Sequence, residues 1–224
     1  MKRFVTDNGL SLFFVVILLL ALAGQSVAGL AQLNSQQLAD GLQTLTYAQY
    51  LTSSEFAVDV AENWQSEFLQ FTLYILATVY LIQRGSSESK QPGRAGLESD
   101  EDQKVAEHAE ADSPRWAKSR GWRLSVYSRS LTLVMAAIFA LSWLAQSIAG
   151  RAAHNEQQLG QRQDPVGWVD YITSADFWSR TLQNWQSEFL AVAAMAVFAI
   201  YFRQRGSPES KPVGTAHAST GSEE

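Results

Sequence analysis

Asn63-Trp64-Gln65-Ser66-Glu67-Phe68-Leu69 returns unchanged as Asn184-Trp185-Gln186-Ser187-Glu188-Phe189-Leu190. The same spacing holds on either side. Gln25-Ser26-Val27-Ala28-Gly29 is matched by Gln146-Ser147-Ile148-Ala149-Gly150, and Arg84-Gly85-Ser86-Ser87-Glu88-Ser89-Lys90 by Arg205-Gly206-Ser207-Pro208-Glu209-Ser210-Lys211. Residues 8–90 lie over 129–211 without a gap, and roughly 32 of about 83 positions are identical, far above chance. The chain therefore reads as two tandem copies of one unit.

Each copy carries two apolar blocks, at 10–29 and 64–82 in the first and at 131–150 and 185–202 in the second. The first and third run for about twenty residues without a charge, the length that crosses a hydrocarbon core of roughly 30 Å. The second and fourth are shorter, and each has a glutamate near its start. Interfacial tryptophans and terminal arginines extend such a stretch to membrane thickness, so all four are expected to span. Lys2, Arg3, the first apolar run and its Val27-Ala28-Gly29 end would also suit a cleaved export signal. The same Gln-Ser-x-Ala-Gly ending deep in the chain argues instead for a retained span.

Basic residues set the orientation. Lys2, Arg3, Arg84, Lys90, Arg203, Arg205, Lys211 and the cluster within 115–129 fall on one side, whereas residues 30–63 contain no lysine or arginine. The positive-inside bias places both termini and the central segment in the cytoplasm, against a weaker opposing signal from Arg151, Arg162 and Arg180. The expected fold is an all-α membrane protein with four transmembrane helices, arranged as two parallel-repeat helical hairpins about a pseudo-twofold axis along the membrane normal. The first hairpin occupies 1–90, a disordered cytoplasmic linker 91–114, the second hairpin with a basic collar 115–211, and a disordered tail 212–224.

Thr52-Ser53-Ser54-Glu55 and Thr173-Ser174-Ala175-Asp176 resemble capping boxes and predict helix starts near Ser53 and Ser174. On the first helix of each copy, Ala21, Gly24, Gln25 and Ala28, and likewise Ser142, Ala145, Gln146 and Ala149, make a face of small residues suited to close helix packing. Asn63 and Glu67 share a helix face, as do Asn184 and Glu188. Gln25 lies about 6 Å from the outer end of its helix and Glu67 about 5 Å beyond Trp64, so a hairpin brings them to similar depth. Gln25, Glu67, Gln146, Glu188, Asn63 and Asn184 thus form a candidate intramembrane polar cluster. It reads either as a hydrogen-bonded clamp within each hairpin or as a proton or cation site.

Trp64 and Trp185 are read as interfacial anchors, and the Arg-Gly-Ser-x-Glu-Ser-Lys segments as helix C-caps with cations near the helix end. His108, His154 and His217 fall in linker, loop and tail without metal-like spacing, and there is no cysteine. No nucleophile or catalytic acid and base pair is apparent, so no enzymatic activity, cofactor, catalytic residue or metal site is expected. Residues 115–129, with Trp116, Trp122 and Tyr127 between the basic side chains, suit anionic lipid and not nucleic acid.

With the Asn-Gly-Leu-Ser-Leu stretch at 8–12, the segments at 24–29, 63–69 and 84–90 resemble a bacterial family of small integral membrane proteins known only as a domain of unknown function. The second copy departs from the pattern at Arg129 and Ser130. The resemblance implies an inner-membrane, multi-pass protein and carries no catalytic residue. A structural or interaction role is expected, with the lipid bilayer and either a second copy or another membrane protein as partners. The alternative is a small transporter or channel using Glu67 and Glu188.

Overall fold

The structure, a computed structural model, describes residues 2–221; Met1 and residues 222–224 at the end of the 212–224 tail lie outside them. Among the described residues all regular structure is helical. The order is α1 (Lys2–Asp7), α2 (Gly9–Ala39), α3 (Tyr47–Leu51), α4 (Ser54–Tyr80), a 3-10 turn at Ala106–His108, α5 (Trp122–Tyr127), α6 (Ser130–Gly160), α7 (Trp168–Ile172) and α8 (Ala175–Tyr201).

Two of these helices, α2 and α6, are long and apolar enough to cross a membrane. Both outrun their apolar blocks, because the Gln-, Leu- and Ala-rich sequence beyond Gly29 and Gly150 favours helix and meets no proline or further glycine until Gly41 and Gly160. Part of each expected outer loop is therefore helical. His154, expected in a loop, stands on α6.

Helices α4 and α8 are each one unbroken rod of 27 residues, so the amphipathic start and the apolar stretch are continuous. Ser53 Oγ accepts from Phe56 N at 3.2 Å, and Ser174 Oγ accepts from Phe177 N at 3.2 Å. These serines start the helices near the expected positions. Thr52 and Thr173 instead end the short helices α3 and α7 as their C-caps.

By Cα proximity the chain divides into two compact units, each drawing on both halves of the sequence. The first comprises residues 1–61 and 145–177. Here the chain leaves a long helix, turns, forms a short helix and is tied back by side chains, and the ties recur at matching positions. Asn34 donates to Leu45 O at 3.0 Å and accepts from Leu45 N at 2.7 Å; Asn155 donates to Val166 O at 3.1 Å and accepts from Val166 N at 2.8 Å. Ser26 and Tyr47 join hydroxyls at 2.7 Å, and Trp168 Nε1 donates to Ser147 Oγ at 3.1 Å. Thr46 and Gln49 complete a capping box at the start of α3. Asp170 accepts from Gly167 N at the start of α7, 3.2 Å away.

Beneath each short helix a tyrosine is buried. Tyr50 and Tyr171 are each 1% exposed, and their rings lie against Phe56 and Phe177, with centroids 5.4 and 5.6 Å apart. Their hydroxyls sit on Gly29 and Gly150: a Cβ there would lie 2.0 Å from Tyr50 Oη and 2.3 Å from Tyr171 Oη. Burial, with Asp59 and Glu55 nearby, pushes the Tyr50 hydroxyl above its ordinary pKa. The small-residue face expected to pack closely is buried at Ser142 and Gln146 in the second copy and open in the first. Ala21, Gly24 and Ala28 are exposed, and a Cβ on Gly24 would meet nothing within 4 Å. At Gly29 and Gly150 the space is filled by the ring of a tyrosine from α3 or α7.

The second unit comprises residues 62–144 and 178–224. Glu62 accepts from Arg180 at 3.4 Å, Gln65 Oε1 accepts from Trp185 Nε1 at 2.8 Å, and Ser87 Oγ donates to Glu209 O at 3.3 Å. Partner numbers rise together, so the two segments run in the same direction. Beyond α4 and α8 the Arg-Gly-Ser-x-Glu-Ser-Lys segments do not cap the helices, which end at Tyr80 and Tyr201. They fold as loops. Ser89 Oγ accepts from Gln83 N and Ser210 Oγ from Gln204 N, both at 2.9 Å. Gly85 and Gly206 take φ values of +90° and +84°, a region that favours glycine. The lysines turn inward to carbonyl oxygens: Lys90 to Gly96, and the buried Lys211 to Ala216, His217 and Ser219. Residues 91–114 form no helix beyond the 3-10 turn, and Ala106 N donates to Ala117 O at 2.8 Å.

Candidate functional site

Helices α4 and α8 carry the same heptapeptide but turn it differently. On α4, Gln65 and Ser66 are buried while Trp64 is 44% exposed. On α8, Gln186 and Ser187 are exposed while Trp185 is half-buried. Trp185 donates to Gln65, and its ring lies 5.9 Å from that of Trp143. Trp143 in turn stacks on Phe139 at 5.5 Å and meets Trp178 edge to face at 6.1 Å. The two tryptophans read as equivalent anchors thus sit in different surroundings. Local sequence cannot distinguish them, since the rotation of each helix is set by what packs on it.

Of the candidate polar residues, Gln25 is half-buried and Gln146 fully buried in the first unit, whereas Glu67, Glu188, Asn63 and Asn184 belong to the second. Asn184 donates to Arg180 O at 3.0 Å. The structure brings Glu67 and Glu188 close enough for their carboxyl groups to interact. Residues at matching positions meet again in the exit loops. Glu88 accepts from the Tyr74 hydroxyl, and its hydrogen bond and like charge push Glu209 above the ordinary carboxyl range.

Sequence reasoning singled out Glu67 and Glu188 but missed the other contacts of the second unit, made by Gln65, Trp143, Arg180 and Glu62. Only Gln65 had a signal, its identity with Gln186. Among the described residues no three His, Asp or Glu side chains form a metal-binding group. His154 Nδ1 lies 3.7 Å from Asp176, and its ring lies 5.5 Å from that of Tyr171, so it belongs to the tie of the second loop.

The family model described as Domain of unknown function (DUF6766) matches residues 1–222. No curated protein and no solved structure matches the chain.

Proposed function

The chain belongs to the DUF6766 family, and from that premise we propose that it is a four-span integral membrane protein with a structural or interaction role and no enzymatic activity. The observation that carries this reading is the surface of α2. Every residue from 13 to 20 is a large apolar side chain 45–68% exposed, over more than two helical turns. A helix of a soluble domain buries one stripe, whereas this one buries none there and suits lipid on all sides. Helices α4 and α8 complete the spans at 64–82 and 185–202, each with its polar start at the outer leaflet. The same-direction pairing within the second unit supports two hairpins of one orientation, and the bias of lysine and arginine toward one side supports both termini in the cytoplasm of a bacterial inner membrane. The tied loops at 40–53 and 161–174 then form an ordered outer surface that suits a second copy or another membrane protein. Alkaline carbonate washing of membranes should leave the full-length protein in the pellet; its release would contradict the membrane reading.

Proton or cation transport is the second reading, favoured by the meeting of Glu67 and Glu188. The double variant Glu67→Gln, Glu188→Gln separates the two readings. An amide pair keeps shape and hydrogen bonding but cannot take up and release a proton near neutral pH. In proteoliposomes loaded with a pH-sensitive dye, the structural role predicts the same proton leak for wild type and variant. A wild-type flux at least tenfold above that of a well-folded variant would establish transport.

A further inference from the structure

This inference rests on the membrane reading and concerns residues 115–129, a stretch that the proposed role does not use. Arg115, Lys118, Arg120, Arg123 and Arg129 lie in it, and no acidic residue occurs from 113 to 155. Trp116 is 44% and Trp122 67% exposed, and their rings meet edge to face at 6.2 Å. The Arg123 guanidinium lies 5.6 Å from the centre of the Trp122 ring. Three of the cations have polar contacts within the protein: Arg120 with Glu107 at 3.1 Å, Lys118 with Ala111 O at 2.6 Å, and Arg129 with Ser125 Oγ at 2.6 Å. Among these contacts Glu107 supplies the single opposing charge, and Glu98 and Asp100 line a cavity with Arg129, which leaves Arg115 and Arg123 as the cations beside the exposed indoles.

Adjacent exposed indoles beside guanidinium groups suit a boundary that is apolar on one side and anionic on the other. The indoles rest at the headgroup level while the cations reach phosphate oxygens. Helix α5 is followed by Ser128 and Arg129, and then by α6, which is apolar and long enough to cross a bilayer. That connection holds the basic stretch within a few residues of the headgroups, so anionic lipid is present at a high effective concentration. We propose that residues 115–129 are a docking surface for anionic phospholipid in the leaflet where α6 begins. Each basic residue near such a surface strengthens association roughly fivefold.

The test uses the full-length protein in neutral-detergent micelles, mixed with equal amounts of phosphatidylglycerol and phosphatidylcholine and passed through gel filtration, with retained lipid quantified. The wild type should retain phosphatidylglycerol at least tenfold over phosphatidylcholine, and half-molar salt should reduce that preference. A variant carrying Arg115→Gln, Arg123→Gln, Trp116→Ala and Trp122→Ala should lose it with an unchanged helical spectrum. If that variant misfolds, Arg115→Gln with Arg123→Gln is read instead and should lower the preference severalfold. Equal retention of both lipids, an unchanged preference in the folded variant, or displacement of the lipid by inorganic phosphate would overturn the proposal. The carbonate wash reports the membrane reading separately, so a protein that stays in the pellet yet shows no lipid preference sinks this inference alone.

Discussion

Replacing Tyr171 by alanine is expected to cost about 3–5 kcal/mol, the range for truncating a fully buried aromatic residue. The ring is 1% exposed and closes the gap between Gly150, His154 and Phe177. Thermal unfolding in detergent should show a midpoint roughly 6–20 °C lower, since each kcal/mol moves a chain of this size by about 2–4 °C. Gly150→Ala tests the same contact from the other side. Its new Cβ would lie 2.3 Å from a hydroxyl on a ring that has no exposed direction in which to swing. That overpacking should cost about 1–3 kcal/mol, and adding Tyr171→Phe should restore part of it. Gly24→Ala is the control, because its Cβ meets nothing within 4 Å. If Tyr171→Ala melts with the wild type, the tyrosine does not hold the loop.

The double replacement Asn34→Ala, Asn155→Ala should have the next largest effect. Each amide both donates to and accepts from one backbone residue of the returning loop, so each substitution leaves a backbone N–H and a C=O without their partner. The cost is about 1–3 kcal/mol at each site and near additive, since the two asparagines bond to different loops. Hydrogen exchange should become faster at the amides of Leu45 and Val166, while the centres of α2 and α6 stay protected. Unchanged exchange at both amides would show that the loops hold without these bonds.

The four long helices and the starts of α4 and α8 were legible in the sequence, but not the far ends of α2 and α6 or the short helices α3 and α7. Apolar blocks mark where a helix suits lipid, and helix-favouring glutamines carry α2 on to Ala39 and α6 to Gly160 without adding hydropathy. The ties were visible as identities. Asn34 and Asn155, Tyr50 and Tyr171, and Gly29 and Gly150 are the same in both halves, yet their partners lie across a loop where periodicity gives no guidance. Of the candidate polar residues, Glu67 and Glu188 were legible as a matching pair of carboxylates. That Glu67 and Glu188 meet depends on two helices running in one direction with matching positions facing, which hydropathy and charge bias do not determine. The contrast between Trp64 and Trp185 had no signal, because the sequences around them are identical.

The central claim is that the chain crosses the membrane four times with its tied loops outside, and the absence of native cysteine makes it directly testable. Single thiols are introduced at Gln43, Gln163 and Ser99 and exposed in intact cells to a membrane-impermeant maleimide. Labelling at Gln43 and Gln163, with Ser99 reacting only after the cells are opened, is the predicted result. Labelling of Ser99 in intact cells while Gln43 and Gln163 stay protected would contradict it.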